Sequence, residues 1–380
     1  MAGAGSKRNL SAAEQVAFLR DEKGVSFSLV SEADAVEILS HGICLYRLKA
    51  YAANFDTYHE KGARRGRYIG LDFGHLVELE VLDSRLRALV LSLCLDVEES
   101  LKVRINRAAM GAGVDPYALT RGYLEAARDG VVSDQLVHYD RVAAEPAISR
   151  AAGILASADP SDPVATMDAV NAAMAALAGV AAGRDPNYVL RSIEGMSAST
   201  YSGGIVRRYP NGEMPYWCLL ELLSFGPLTG FYRQCFKRGG LIDCPAETAL
   251  LRECKSMLRQ AQGMRNAAAH NDAMLNTLSA YRTSSYLKGC RRKLRERGIE
   301  GPWVDAVASV PVAMELAAVL MCHESLVERQ GARELAARGM RSLSERLEEN
   351  VEWFSKSYPV SSFIEYASRL LREFASRADA

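Results

Sequence analysis

Nine residues hold the side chains best suited to chemistry: Met264-Arg265-Asn266-Ala267-Ala268-Ala269-His270-Asn271-Asp272. A neutral imidazole accepts a proton, and an imidazolium gives one back near neutral pH. A guanidinium is permanently charged and forks onto phosphate oxygens. An amide orients an imidazole or hydrogen-bonds a ribose or phosphate oxygen. On a helix, Asn266 and His270 are four apart and share a face, one turn above the other. Arg265 lies about 100° to the side, within reach of the same cleft on its long stem. Ala267, Ala268 and Ala269 leave room for a second backbone or a substrate. The set fits attack of an RNA 2′-hydroxyl on the neighbouring phosphate with no metal ion. Arg and His also cap and pair on ordinary helix surfaces, so the short pattern alone leaves that reading open.

The element that must carry these residues starts after Cys244-Pro245. Leu250, Leu251, Cys254, Met257, Leu258, Ala261 and Met264 recur every three or four residues and predict a long helix. The spacing predicts that it continues past His270 through Leu275 and Leu278. None of the other five His residues has an Arg at the matching upstream distance.

Composition bounds the alternatives. The chain has 380 residues, 46 Lys plus Arg and 46 Asp plus Glu, so no global field attracts a polyanion. Any nucleic-acid site must come from local clustering. Eight Cys residues include no C-x2-C pair, and Cys44, Cys94, Cys218, Cys254 and Cys322 read as buried apolar residues. Neither a disulfide scaffold nor a zinc site is expected, and no metal or other cofactor is called for. The N-terminus lacks the apolar core of a secretory signal, and no apolar run is long enough to span a bilayer. A soluble protein of a reducing compartment, the cytoplasm, is expected, with no membrane partner.

Taken in order, the chain reads as helix after helix. Ser11-x-x-Glu14 has capping-box spacing, and Ser31-Glu32-Ala33-Asp34 opens a second short helix that Gly42 ends. These two read as a docking arm. Tyr46-Arg47-Leu48-Lys49-Ala50-Tyr51 follows, where Arg47 either faces phosphate or pairs among core aromatics. Lys61 to Tyr68 is a basic, glycine-bearing loop that could touch RNA through Arg64, Arg65 and Arg67. Leucines from Leu76 to Leu101 and then Ile105 define the most regular helix, over about 72–109, with Glu80, Asp83, Arg85 and Arg87 off its apolar face. Glu98 and Glu99 could accept from Arg104 or from the helix that carries Arg265, and pairing with Lys102 on their own helix is the favoured expectation. Asp115-Pro116 starts another helix. A helix is expected over 134–156, a Pro-rich connector over 158–163 and an alanine-rich helix over 164–182. The segment from Pro215 reads as one packed helix broken at Ser224-Phe225-Gly226-Pro227. Arg291, Arg292, Lys293 and Arg295 form the densest positive cluster and the best local polyanion contact. Trp303 to Val327, Arg333 to Phe354 and Ser361 to Ala375 read as amphipathic helices.

Four segments together resemble a known family. Tyr46-Arg47-Leu48 with Tyr51 is similar to a Tyr-Arg-Leu-x-x-Tyr motif, and Asp83-Ser84-Arg85-Leu86-Arg87 to an Asp-x-x-Leu-Arg helix. Pro215-Tyr216-Trp217 with Glu221 to Gly226 resembles a Pro-x-Trp and Glu-x-x-Ser-Phe-Gly signature, and Arg265-Asn266 to His270 an Arg-Asn-x3-His motif. In that order they resemble the Abi-like abortive-infection proteins, which carry a HEPN-type helical ribonuclease domain. The resemblance implies an all-α, HEPN-like bundle over 41–285, with an insert at about 145–185. An N-terminal helical arm over 1–40 and a C-terminal extension over 286–380 flank it. It implies a metal-independent endoribonuclease of phage defence or toxin type, with His270 as acid/base, Arg265 as phosphate clamp and Asn266 orienting them. HEPN sites are usually composite, and this chain has one copy of the motif, so a homodimer is implied. RNA is the implied substrate, and an antitoxin, a small RNA or a protein, the implied restraint. A non-catalytic RNA-binding module and a helical dimer scaffold are the other readings of the same chain.

Overall fold

Every leucine of the long apolar stripe is buried, from Leu76 through Leu101, and Val97 and Ile105 with them. That stripe winds one helix of 39 residues, Phe73–Gly111. The computed structural model describes residues 9–60, 62–129, 187–279 and 285–379, with short pieces at 149, 152–154, 156 and 166–172. The connector at 158–163 and Lys61 fall outside the described residues, as does most of the helix expected over 134–156; of the alanine-rich helix expected over 164–182, residues 166–172 are described and are helical.

Among the described residues every regular element is helical, and pairing of extended chain is limited to two isolated bridges, Ser26 with Asp72 and Thr57 with Tyr68. In chain order the helices are α1 Ala12–Ala17, α2 Glu32–His41, α3 Leu45–Ala52, α4 Phe73–Gly111, α5 Pro116–Arg128, α6 Tyr188–Glu194, α7 Gly203–Arg208, α8 Tyr216–Leu222, α9 Phe225–Phe236, α10 Pro245–Ala269, α11 Ser285–Glu296, α12 Pro302–Asp305, α13 Pro311–Leu326, α14 Gln330–Glu348 and α15 Tyr358–Asp379. The all-α expectation holds. No helix among them is long and apolar enough to cross a membrane.

The described chain divides into two compact units, one of Met1–Ser100 with Cys254–Ala380 and the other of Leu101–Glu253. Helices α4 and α10 each contribute residues to both.

In the first unit, α1 starts at the expected capping box: Ser11 accepts from the Glu14 N–H and Glu14 reaches back to the Ser11 N–H. Ser31 caps α2 by accepting from the Asp34 N–H, and its hydroxyl donates to the Asp34 carboxylate at 2.6 Å. The N-terminal segment is fastened by Asp72, which accepts from the Ser26 hydroxyl at 2.8 Å and the Ser28 N–H at 2.7 Å. The same carboxylate takes the Gly74 N–H at 2.9 Å, one of the donors that the start of α4 would leave unpaired. Trp303 to Val327 is not one amphipathic helix. Pro311 cannot continue a helix from its N-terminal side, so the chain turns after the short α12 and starts again as α13. Helix α13 is buried on nearly every side, from Val312 to His323, and α11 and α15 pack against it. Helix α14 packs along α15. Arg346 of α14 forks onto Glu78 of α4, donating at 2.6 Å to its Oε2.

His75, in the first turn of α4, titrates with the fold. Its ring stacks on Phe55 at 5.8 Å and tilts against Phe354, and its Nδ1 accepts from the Asp72 N–H at 3.1 Å. Burial pushes its pKa below the ordinary 6.5, a direction that Asp72 opposes and Lys356 reinforces. The folded chain therefore holds fewer protons than the unfolded one just below that value. His75 contributes stability that is fully present above pH 6.5 and lost as pH falls towards the folded pKa, at up to about 1.4 kcal/mol per pH unit. Between pH 7.5 and 5.5 the parent should lose more melting temperature than His75→Phe, which keeps the stacking and cannot titrate. Equal losses would remove His75 from the account.

In the second unit, Asp115 caps α5 through the Ala118 N–H at 2.5 Å, and Tyr123 donates to the Pro227 carbonyl at 2.8 Å. The segment after Pro215 forms two helices, with Leu223 and Ser224 extended between them and Pro227 inside the first turn of α9. Proline is tolerated there because a first-turn N–H has no helical partner to lose. Glu247, in the first turn of α10, takes Arg104 at 2.8 Å and the Tyr232 hydroxyl at 2.6 Å. The expected Lys102 pairing with Glu98 and Glu99 does not form; Lys102 reaches Glu221 at 3.3 Å.

Candidate functional site

Helix α10 ends at Ala269, more than two turns short of Leu278, to which its apolar spacing predicts that it continues. His270 N–H still bonds to the Asn266 carbonyl at 2.9 Å, and the chain then reverses. Asn271 takes a φ of 57°, the left-handed conformation that Asn tolerates better than other side chains. Its N–H bonds to Ala268 O at 3.2 Å and the Asp272 N–H to Ala267 O at 2.8 Å. These two bonds make a Schellman cap, and they satisfy carbonyls that the helix end would strand. Leu275 and Leu278 are buried, but from a short 3-10 turn over Met274–Thr277 and the residue after it. His270 thus caps its helix just past the last helical residue, exposed, one turn beyond a half-exposed Asn266.

Arg265 keeps a quarter of its side chain exposed and pairs with Glu98 of α4 at 3.3 Å. Both belong to the first unit. A phosphate approaching Arg265 meets a guanidinium already oriented by one carboxylate. Cys94 lies beside this pair, and burial first, then Glu98, pushes its thiol up to about 12. A thiol so protonated is no nucleophile near neutral pH.

Behind the turn lies a group of charges on α3 and α4. Tyr51 is fully buried, its hydroxyl 2.5 Å from Glu80 Oε2 and 2.6 Å from Asp83 Oδ2. One phenolic proton can serve one of those oxygens at a time. Arg87 pairs with Asp83 and reaches Glu80 at 2.9 Å, while Arg47 meets Glu80 at 3.2 Å. Two cations thus face two carboxylates. Burial pushes the Asp83 carboxyl above the usual range, against the pull of Tyr51, Arg87 and the Met274 N–H. Burial works to lower the Arg87 pKa, yet Asp83, Tyr51 and Glu80 leave it raised. This group touches the residues after His270. Arg47 donates to Asn271 Oδ1 at 2.7 Å, and Met274 N–H donates to Asp83 Oδ2 at 3.1 Å.

The structure brings Arg47 to the turn after His270 and places the other basic residues elsewhere. Arg64 lies over the Tyr58 ring at 5.8 Å, Arg65 is exposed, and Arg67 donates to the Arg20 carbonyl at 3.2 Å. On α11, Arg291 pairs with Asp305, Arg292 with Glu296 at 3.5 Å and Arg295 with Glu300 at 3.3 Å. Lys293 is half-exposed on the same helix. The densest basic segment is therefore laced with carboxylates. Cys94, Cys254 and Cys322 are buried as expected, but Cys44 is exposed and Cys218 half-exposed.

Glu80, Asp83 and Arg87 lie off the apolar stripe of α4 in the sequence, where a charged side would face solvent. Asp83 and Arg87 are instead buried, at 0% and 6% exposure, because α3 covers that side through Tyr51. Their signal in the sequence is the i, i+4 placement of a carboxylate and an arginine flanking buried Leu82 and Leu86. The Tyr-Arg-Leu-x-x-Tyr, Asp-x-x-Leu-Arg and Arg-Asn-x3-His segments thus meet around one turn. A family model described as Abi-like protein matches residues 37–276, which contain all of them. No curated protein and no solved structure gives a match. With well over half of its length matched, and with three of its motifs joined at one turn, the chain belongs to the Abi-like protein family.

Proposed function

We propose that the chain is a metal-independent endoribonuclease of HEPN type that serves abortive infection. The observation that carries this reading is the placement of His270, exposed at the end of a helix, one turn from Asn266 and near a part-exposed Arg265. An exposed imidazole held on a rigid helix end is suited to moving a proton to or from an RNA chain. In the reaction, the 2′-oxygen attacks the adjacent phosphorus and gives up its proton. The bond to the 5′-oxygen then breaks, and that oxygen takes a proton. The products are a 2′,3′-cyclic phosphate and a 5′-hydroxyl. Arg265 would balance the charge that builds on the phosphoryl oxygens. One imidazole can serve either proton transfer, and a second copy of the chain would bring a second imidazole for the other. A homodimer follows from that need. Membership of the Abi-like family supports a role in arresting infected cells.

The test is to incubate purified parent and His270→Ala proteins with total RNA in EDTA, and to express both in bacteria. Fragments that accept a 5′-phosphate from a kinase without prior dephosphorylation, with parent protein alone, are expected, as is growth arrest by the parent alone. RNA left intact by the parent, or cut equally by the variant, would overturn the assignment. A salt-sensitive gel shift without cleavage would point instead to a binding module.

A further inference from the structure

His270 has no helix after it to hold it, and its ring is exposed, so its position depends on the backbone of the turn that follows. That turn is gripped, through its backbone and the Asn271 side chain, by side chains from a distant part of the chain. Arg47 holds Asn271 Oδ1 at 2.7 Å and Arg87 approaches the Asp272 carbonyl at 3.4 Å. Asp83 takes the Met274 N–H at 3.1 Å. Asn54 donates to Leu275 O at 2.6 Å and accepts the Leu278 N–H at 2.9 Å. Four side chains from residues 47–87 thus account for contacts at Asn271, Asp272, Met274, Leu275 and Leu278. Helix ends usually fray, and a turn held by its own cap bonds alone would fray with them. The charged groups here are partly or wholly buried, where a hydrogen bond to an ion is strong.

We propose that Arg47, Asp83, Arg87 and Asn54 form a clamp that fixes the turn after His270 and so sets the imidazole for reaction. They are positioning residues, and Arg47 serves the turn rather than the RNA. The proposal rests on the ribonuclease reading for its kinetic consequence and not for its structural one. A positioning group earns its effect through geometry, because a misplacement of about 1 Å can cost on the order of 100-fold in rate.

Asn271 offers the cleanest test because it is exposed and its conformation is known. Asn271→Gly keeps the positive φ without strain and removes the acceptor that Arg47 holds. Asn271→Asp keeps both. The expected result for Asn271→Gly is a kcat lower by about 10- to 100-fold with KM near the parent value. Asn271→Asp should recover most of that loss. Hydrogen–deuterium exchange of the peptide spanning 270–276 should be faster in Asn271→Gly and in Arg47→Met, and parent-like in Asn271→Asp. Parent-like exchange in both disrupted variants would overturn the clamp, as would unchanged turnover alongside faster exchange. The exchange measurement uses no RNA. If the parent itself cleaves nothing, the ribonuclease reading fails, and exchange alone decides whether the clamp exists.

Discussion

Replacing His270 with asparagine is expected to lower RNA cleavage by about 100- to 10,000-fold, the span that a general acid or base contributes. Folding stability should change by no more than about 0.5 kcal/mol, as for other exposed positions. Three observations separate these effects. The His270 side chain is exposed, so no packing is lost. Its backbone N–H keeps the bond to Asn266 O at 2.9 Å whatever the side chain. The Schellman cap uses the backbone of Ala267, Ala268, Asn271 and Asp272, none of which changes. Asparagine offers a donor and an acceptor of similar reach but cannot exchange a proton near neutral pH. The measurement is single-turnover cleavage of an end-labelled RNA, with melting curves of both proteins. Arg265→Lys should fall between the two: it keeps a charge facing Glu98 but loses the planar fork that matches phosphate. A His270→Asn protein that cleaves at the parent rate would leave the exposed helix end without a catalytic role.

The helical placement of these residues is legible in the sequence, and each part that is not has its own physical reason. The spacing of Arg265, Asn266 and His270 is local, and a helix converts local spacing into a shared face without help from the rest of the chain. Caps at Ser11, Ser31 and Asp115 are local in the same sense, since each satisfies an N–H within three residues. The end of α10 differs from the one its spacing predicts because the signal that stops it is weak. Asn is permitted in the left-handed region but is not confined to it, and apolar Leu275 and Leu278 continue the helical spacing. They are buried from a 3-10 turn, a geometry that spacing alone does not distinguish. The charge group on α4 was hidden for a different reason. An Asp and an Arg four residues apart have the spacing of an ordinary surface pair, and only the arrival of Tyr51 turns that surface into interior. The basic segment of α11 misled in the opposite direction. Its arginines look unopposed along the sequence, yet Arg291 pairs across 14 residues with Asp305, a partner on another helix. Local rules place the reactive groups; contacts distant in sequence decide what supports them.

Removing the carboxylate of Asp83 is expected to have the largest effect on folding, about 3–5 kcal/mol for Asp83→Ala. The side chain is fully buried and is the common partner of Tyr51, Arg87 and the Met274 N–H. Alanine would leave Arg87, with only 7% of its side chain exposed, facing Glu80 as its remaining carboxylate. It would also strand the Met274 N–H in the interior, at a further cost of about 1–3 kcal/mol that the total includes. The cost of Asp83→Ala is thus mainly that of an uncompensated buried charge, which makes the double variant informative. Asp83→Leu combined with Arg87→Met removes both charges and refills the space with apolar groups, a change that often restores stability. Urea denaturation should show the single variant strongly destabilised and the double variant closer to the parent. The turn after His270 would still lose its hold on Met274 in both. A double variant that folds well but cleaves RNA poorly would separate the two duties of this charge group, stability and placement of the imidazole. Equal destabilisation of both variants would mean that packing around α3 and α4, rather than unpaired charge, sets the cost.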